Sequence, residues 1–204
     1  MRKQTVTFLL LFFIFMTLPA CTATQPKNTN NICAIFNEKD DWYEYSKDSF
    51  LKWGVPIYIQ MAFIHQESRF VADAQPPRPT VLGFIPWFRR SSAFGYPQAQ
   101  DSTWEWYIDD SGNWGADRDD FEDAVDFVGW YGHISHKKLG ISKWDVKKQY
   151  FAYHEGHGGF KRKTYLKKPW LIKVAKKVKA RAQTFKQQLN ACQADLESSL
   201  SFFW

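Results

Sequence analysis

The chain has almost no cysteine, no internal repeat and no convincing run of alternating apolar and polar residues. Its three cysteines, Cys21, Cys33 and Cys192, are too few for a scaffold held by several bridges. Without a repeat there is no solenoid to build, and without strand signals the fold class is mainly α. Long apolar runs are also missing, apart from Val6 to Met16, which is shorter than a comfortable membrane span. No nucleic-acid motif accompanies the net charge of +6. That mild basicity suits an anionic polymer or a membrane surface and gives no ground for nucleic acid as a partner.

What is present begins with a processing signal. Arg2 and Lys3 precede the apolar run, and Leu18-Pro-Ala-Cys21 follows it. A Cys directly after Leu-x-Ala resembles the lipobox of bacterial lipoproteins. The resemblance implies a signal peptide over residues 1–20 and a lipidated Cys21 as the mature N-terminus. Thr22 comes next, with no Asp to imply retention at the inner membrane, so the implied address is the outer membrane, facing the periplasm. Losing Arg2 and Lys3 takes the charge from +6 to +4. Residues 21–31 then read as the lipidated Cys and a flexible polar tether. In an oxidising compartment Cys33 and Cys192 form an even pair and read as one structural disulfide. Closing so long a loop stabilises by about 4–5 kcal/mol in the chain-entropy model. Roughly 170 residues beyond the tether suffice for one domain with a sizeable core. That domain is placed at 32–192, with 193–204 a C-terminal tail.

The segment Ile57 to Phe70 organises the domain. Pro56 suits the first turn of a helix, and Ile57, Met61 and Ile64 recur at helical spacing along one apolar stripe. Glu67 sits at the edge of that stripe. Apolar neighbours disfavour its charged form, so its pKa is expected to rise, as a general acid requires near neutral pH. Asp41 to Trp53 is a second helix, ended by Gly54, with Trp42, Tyr45, Ser49 and Trp53 near one face. The two form a tight hairpin.

The prolines at 76, 77, 79 and 86 make residues 71–92 a long loop, yet Val81 to Phe88 is strongly apolar. It reads either as a lid or cleft wall, or as a strap over the core. Ser102 to Tyr107 is a short helix and Asp109 to Asp119 a loop. Phe121 to Lys138 is helical, with an end or bend expected at Gly132. Lys143 to Tyr153 is a helix capped by Ser142 and ended by the glycines at 156, 158 and 159. Pro169 opens a last long helix whose lysine-rich face reads as solvated, with contact to anionic glycan or lipid as the alternative.

Three short segments carry the strongest signal: Glu67-Ser68, Gly95-Tyr-Pro-Gln98 and Ala152-Tyr-His154. In this order and spacing they resemble the soluble lytic transglycosylase domain, a lysozyme-like fold related to goose-type lysozyme. That family carries Glu-Ser, Gly-Leu-Met-Gln and Ala-Tyr-Asn. Tyr96, Pro97 and His154 depart from its pattern. The resemblance implies a lysozyme-like single domain that acts on peptidoglycan glycan strands without a cofactor. It implies Glu67 as the sole catalytic acid/base and Tyr153 as the residue that hydrogen-bonds its carboxyl. Ser68 and Gln98 would contact the sugar or its peptide stem, and His154 stands where the family has Asn. Tyr96, Trp104 and Trp106 either offer faces for stacking on sugars or belong to the core, as aromatics at this density do at least as often.

Two rival readings accompany this one. A hydrolase of the same bond needs a second carboxylate, for which Asp101, Glu105, Asp109 and Asp110 are candidates. A non-catalytic peptidoglycan-binding lipoprotein would keep the fold for docking alone. His154-Glu-Gly-His157 has its histidines three apart where a zinc-protease helix needs four, and Gly156 interrupts it. Together with His133 and His136 these form a four-histidine alternative, but the preferred reading has no metal. Glu155 lines the cleft or caps the loop there. Nothing in the sequence points to a protein partner.

Overall fold

The computed structural model describes residues 23–89 and 91–201. The signal segment and Cys21 lie outside them. Residues 23–31, expected to be a loose tether, instead lie along the domain. Pro26 is buried, the Gln25 side chain donates to the Arg69 carbonyl at 2.8 Å, and Lys39 Nζ donates to Thr24 Oγ1 at 2.8 Å. Helix α1 (Ile32–Glu38), which composition alone did not signal, starts where the Asn31 side chain accepts from the Ala34 N–H.

Helix α2 (Trp42–Trp53) ends at Gly54 in the left-handed region, and Val55-Pro56 turns the chain into helix α3 (Ile57–Glu67). The expected apolar stripe of α3 proves to be nearly its whole circumference. Ile59, Gln60, Ala62 and Phe63 are buried along with Ile57, Met61 and Ile64, as befits a helix at the centre of a domain. Helices α2, α5 and α7 surround it.

The proline-rich loop carries a minimal antiparallel hairpin. Strands β1 (Thr80–Val81) and β2 (Ile85–Pro86) pair Thr80 with Pro86 and Val81 with Ile85. Leu82, Phe84, Trp87 and Phe88 are exposed, so the loop is not a strap over the core. Helix α4 (Asp101–Ser111) runs one turn further than its apolar spacing indicated and ends at Gly112.

Helix α5 (Phe121–Leu139) is continuous through Gly132. A Cβ there would come 2.8 Å from Val55 Cγ2, and one at Gly129 would come 2.3 Å from Ser49 Oγ. These glycines let α5 lie close against α2 and the turn that follows it; they do not end the helix. Helix α6 (Val146–Lys161) is capped by Asp145, which accepts from the Lys148 N–H, and not by Ser142. It kinks at Gly156 (φ 68, ψ 163) and resumes. A 3-10 turn (Thr164–Lys167) leads to helix α7 (Pro169–Ser201), which continues through most of the expected tail. Leu171, Ala175, Val178, Ala182, Phe185 and Leu189 form its buried stripe, and the lysines face solvent. The disulfide Cys33–Cys192 fastens α7 to α1 with Cα atoms 6.2 Å apart. The result is mainly α, with only the two-residue strand pair among the described residues. None of the described helices is long and apolar enough to cross a membrane.

Candidate active site

Glu67 is the last residue of α3. Directly after it the chain turns through Arg69 (φ 54) and Phe70 (φ 64), two successive non-glycine residues in the left-handed region. Such conformations cost about 1–3 kcal/mol each and gather at functional sites. Ser68 supports the turn: its hydroxyl donates to the Ile64 carbonyl and accepts from the Phe70 N–H, both at 3.2 Å. Ser68 is buried and its hydroxyl is spent on the backbone, so it shapes the site without the expected contact to substrate. Phe70, wholly buried, anchors the turn from below.

The Glu67 carboxyl lies among aromatic rings. Phe63 meets Tyr150 and Tyr153 edge-on at 5.3 and 5.4 Å, and Tyr131 meets Tyr153 at 5.2 Å. Glu67 Oε1 is buried and has no hydrogen-bond partner. Burial pushes the carboxyl pKa up to about 7, against a smaller downward pull from a hydrogen bond with the Tyr150 hydroxyl. Tyr150, one turn before Tyr153 on α6, lies beside the carboxyl together with Tyr153. The Tyr153 hydroxyl donates elsewhere, to the Pro97 carbonyl at 2.6 Å. Burial raises the pKa of both phenols, so both remain donors. The i, i+3 spacing of the two tyrosines was visible in the sequence, but only the helix phase decides which hydroxyl reaches the carboxyl.

A cleft of about 460 Å³ opens at Glu67, walled by Gln98, Thr103, Tyr131, Tyr153, His154 and Glu155. The second motif forms one wall because of Gly95. Its φ is +75, and a Cβ there would stand 2.1 Å from the Arg118 carbonyl oxygen, so only glycine fits. Gln98, itself at φ 50, donates both amide hydrogens, to Ala74 O at 2.7 Å and Gly95 O at 2.9 Å. The residue lines the cleft. Tyr96 is not in the cleft. It is fully buried against Trp42 and Phe121 and cannot stack on a sugar. Trp104 is likewise core, with its indole N–H donating to Ala116 O at 3.3 Å. Trp106 is half-buried beneath Lys138, whose Nζ is 4.0 Å from the ring centre.

His154, Glu155 and the kinked Gly156 form the opposite wall. Glu155 is covered and bound on every side: Lys168 Nζ lies at 2.7 Å, His154 Nδ1 at 3.1 Å, and Thr164 Oγ1 donates to it. Burial alone would raise its pKa, but these partners hold it down to about 2. The cleft therefore holds two carboxyls shifted in opposite directions, Glu67 upward by burial and Glu155 downward by its partners. The carboxylates expected from sequence lie elsewhere. Asp101 pairs with Arg118 at 2.8 Å, Asp110 accepts from the Trp130 indole at 2.7 Å, and Glu105 and Asp109 are exposed on α4.

The four histidines go to separate partners. His133 Nδ1 faces the Trp53 carbonyl and His136 the Ile141 carbonyl; His157 meets Ser135, and His154 meets Glu155. Burial pushes the His157 pKa down to about 4. Among the described residues no group of three or more His, Cys, Asp or Glu is arranged to hold a metal ion.

The curated proteins and the solved structures contain no match to this chain. A family model does match: the transglycosylase SLT domain, over residues 9–192. That span takes in every residue lining the cleft. By this match and its mainly α, lysozyme-like architecture, the chain belongs to the transglycosylase SLT domain family.

Proposed function

We propose that the protein is a peptidoglycan lytic transglycosylase that uses Glu67 as its single acid/base. The observation that carries this is the state of Glu67: protonated by burial up to about pH 7 and facing a cleft. The acid gives its proton to the glycosidic oxygen between N-acetylmuramic acid and N-acetylglucosamine, and the C1–O bond breaks. The carboxylate then takes the proton of the muramic acid's own C6 hydroxyl as O6 bonds to C1, closing a 1,6-anhydro ring and restoring the acid. An intramolecular nucleophile needs no activated water and so no second base. Tyr150 holds the carboxyl, and Gln98 and His154 line the sugar path. Lipidation at Cys21 would tether the enzyme to the outer membrane, facing its substrate in the periplasm.

The test is to incubate the full chain with peptidoglycan sacculi and weigh the released fragments. Anhydro-muropeptides, lighter than hydrolysis products by one water, are expected. Glu67→Gln should lower the rate by about 10²–10⁴-fold without loss of fold, and substantial residual cleavage would sink the single-acid mechanism. Wild-type activity should decline as pH rises through about 7, where Glu67 loses its proton.

Glu155 gives the hydrolase reading its one foothold, as a second carboxylate in the cleft wall. Its oxygens are already engaged by Lys168, His154 and Thr164, which suits a clamp better than a base. Glu155→Gln should therefore leave the product anhydro while lowering thermal stability. Reducing-end products from wild type, lost in this variant, would instead make Glu155 the base of a muramidase.

A further inference from the structure

A second and larger cavity, of about 800 Å³, lies beside the cleft between the segments that flank the proline-rich hairpin, and Ala93 belongs to the walls of both. Its lining differs from that of the cleft. Trp87 and Phe88 stand exposed at 55% and 78%, edge to face with centroids 5.6 Å apart. Arg78 has no partner among the described residues. Arg89 spends only Nε, on the Pro76 carbonyl at 3.0 Å. Asp101, the acidic group in the lining, is already neutralised by Arg118 at 2.8 Å. Two guanidinium groups are thus left uncompensated next to two bare aromatic faces. This arrangement suits a ligand that carries carboxylates on a partly apolar chain.

We propose that this cavity binds the carboxylate-bearing stem peptide of the strand whose sugars fill the cleft. The proposal rests on the peptidoglycan reading above. Uncharged N-acetylated sugars offer nothing to a pair of arginines, whereas the peptide hanging from each muramic acid brings several carboxylates. The shared wall at Ala93 places the cavity one step from the cleft, as a side branch of the polymer requires. The hairpin then selects strands that still carry their peptides.

The test uses the full chain and the double variant Arg78→Ala/Arg89→Ala, neither position belonging to the cleft. On peptide-bearing strands the double variant should raise KM roughly tenfold with kcat unchanged, the loss expected for two exposed charge pairs. On the same strands stripped of peptide by an amidase, which leaves one lactyl carboxylate on each muramic acid in place of the several of the peptide, the effect should be much smaller. Equal effects on both substrates, or none on either, would overturn the proposal. Binding is read separately in a Glu67→Gln background, by the fluorescence of the exposed tryptophans during titration with a synthetic muramyl tripeptide. Saturable binding that weakens about tenfold in the double variant supports the site even if wild type cleaves nothing, in which case only the transglycosylase reading falls. Absence of peptide binding, with arginine-dependent sedimentation on phosphatidylglycerol vesicles, would assign the hairpin to a lipid surface and overturn it.

Discussion

The pKa of Glu67 rises from 4.5 to about 7 on folding, which makes stability depend on pH. Between those values the folded chain keeps a proton that the unfolded chain has released. Stability contributed by this group is therefore full below pH 4.5, falls as pH rises through 7, and is level beyond. The change is about 3 kcal/mol. Glu67→Gln removes the buried charge, so in urea titrations it should be more stable than wild type at pH 8 and nearly equal to it at pH 4. A variant no more stable at pH 8 would mean that the carboxylate is better solvated than its burial implies. Glu155 has the opposite sign, its contribution being present above the ordinary carboxylate range and lost as pH falls towards 2. The raised pKa of Glu67 was legible in the sequence, because Ile64 and Phe63 one turn earlier are enough to predict an apolar setting. Tyr96 and Trp104 were not. An aromatic beside a motif looks the same in sequence whether it faces the cleft or the core, and only packing against Trp42, Phe121 and Phe127 decides.

Helix α5 was located correctly by its period and misjudged at Gly132, where an end or bend was expected. A glycine in a helical pattern either ends the helix or admits a neighbour, and the sequence does not say which. At position 129 a Cβ would sit 2.3 Å from Ser49 Oγ and 2.9 Å from Trp53 Cδ1. The Ser49 hydroxyl also donates to the Val125 carbonyl at 3.0 Å, linking α2 to α5. Gly129→Ala should therefore cost about 1–3 kcal/mol by overpacking, despite the better helix propensity of alanine. Denaturant unfolding of the purified variant measures this, and a neutral or stabilised protein would show that α2 can shift aside. Helix α6 shows the converse. Its capping residue was misplaced by three positions because Ser142 and Asp145 are both competent N-caps. Its kink at Gly156 falls in the cleft wall beside His154 and Glu155, and no periodicity of side chains announces it.

The whole domain is closed by Cys33–Cys192, a bond between residues 159 apart. Its loop entropy is worth about 4–5 kcal/mol in the chain-entropy model. At ~2–4 °C per kcal/mol for a domain of this size, Cys33→Ser/Cys192→Ser should melt roughly 10 °C lower. Calorimetry with and without reductant tests it, and unchanged melting would mean that the α1–α7 packing alone holds the ends. This bridge was legible from cysteine count. The docking of residues 23–31 was not, because a polar segment without period reads as loose until its few contacts are seen.

The same bond sets a schedule for the newborn chain. Where the chain enters an oxidising compartment N-terminus first and export keeps pace with synthesis at roughly 5–20 residues per second, Cys192 arrives about 10–30 s after Cys33. Throughout that interval α1 has no α7 to pack against, and the one thiol within reach of Cys33 is Cys21, a dozen residues away. A short loop closes more readily than a long one, so the wrong bridge has a head start. A thioether at Cys21, such as lipid attachment would form, removes that competitor and leaves Cys33 to wait for its own partner.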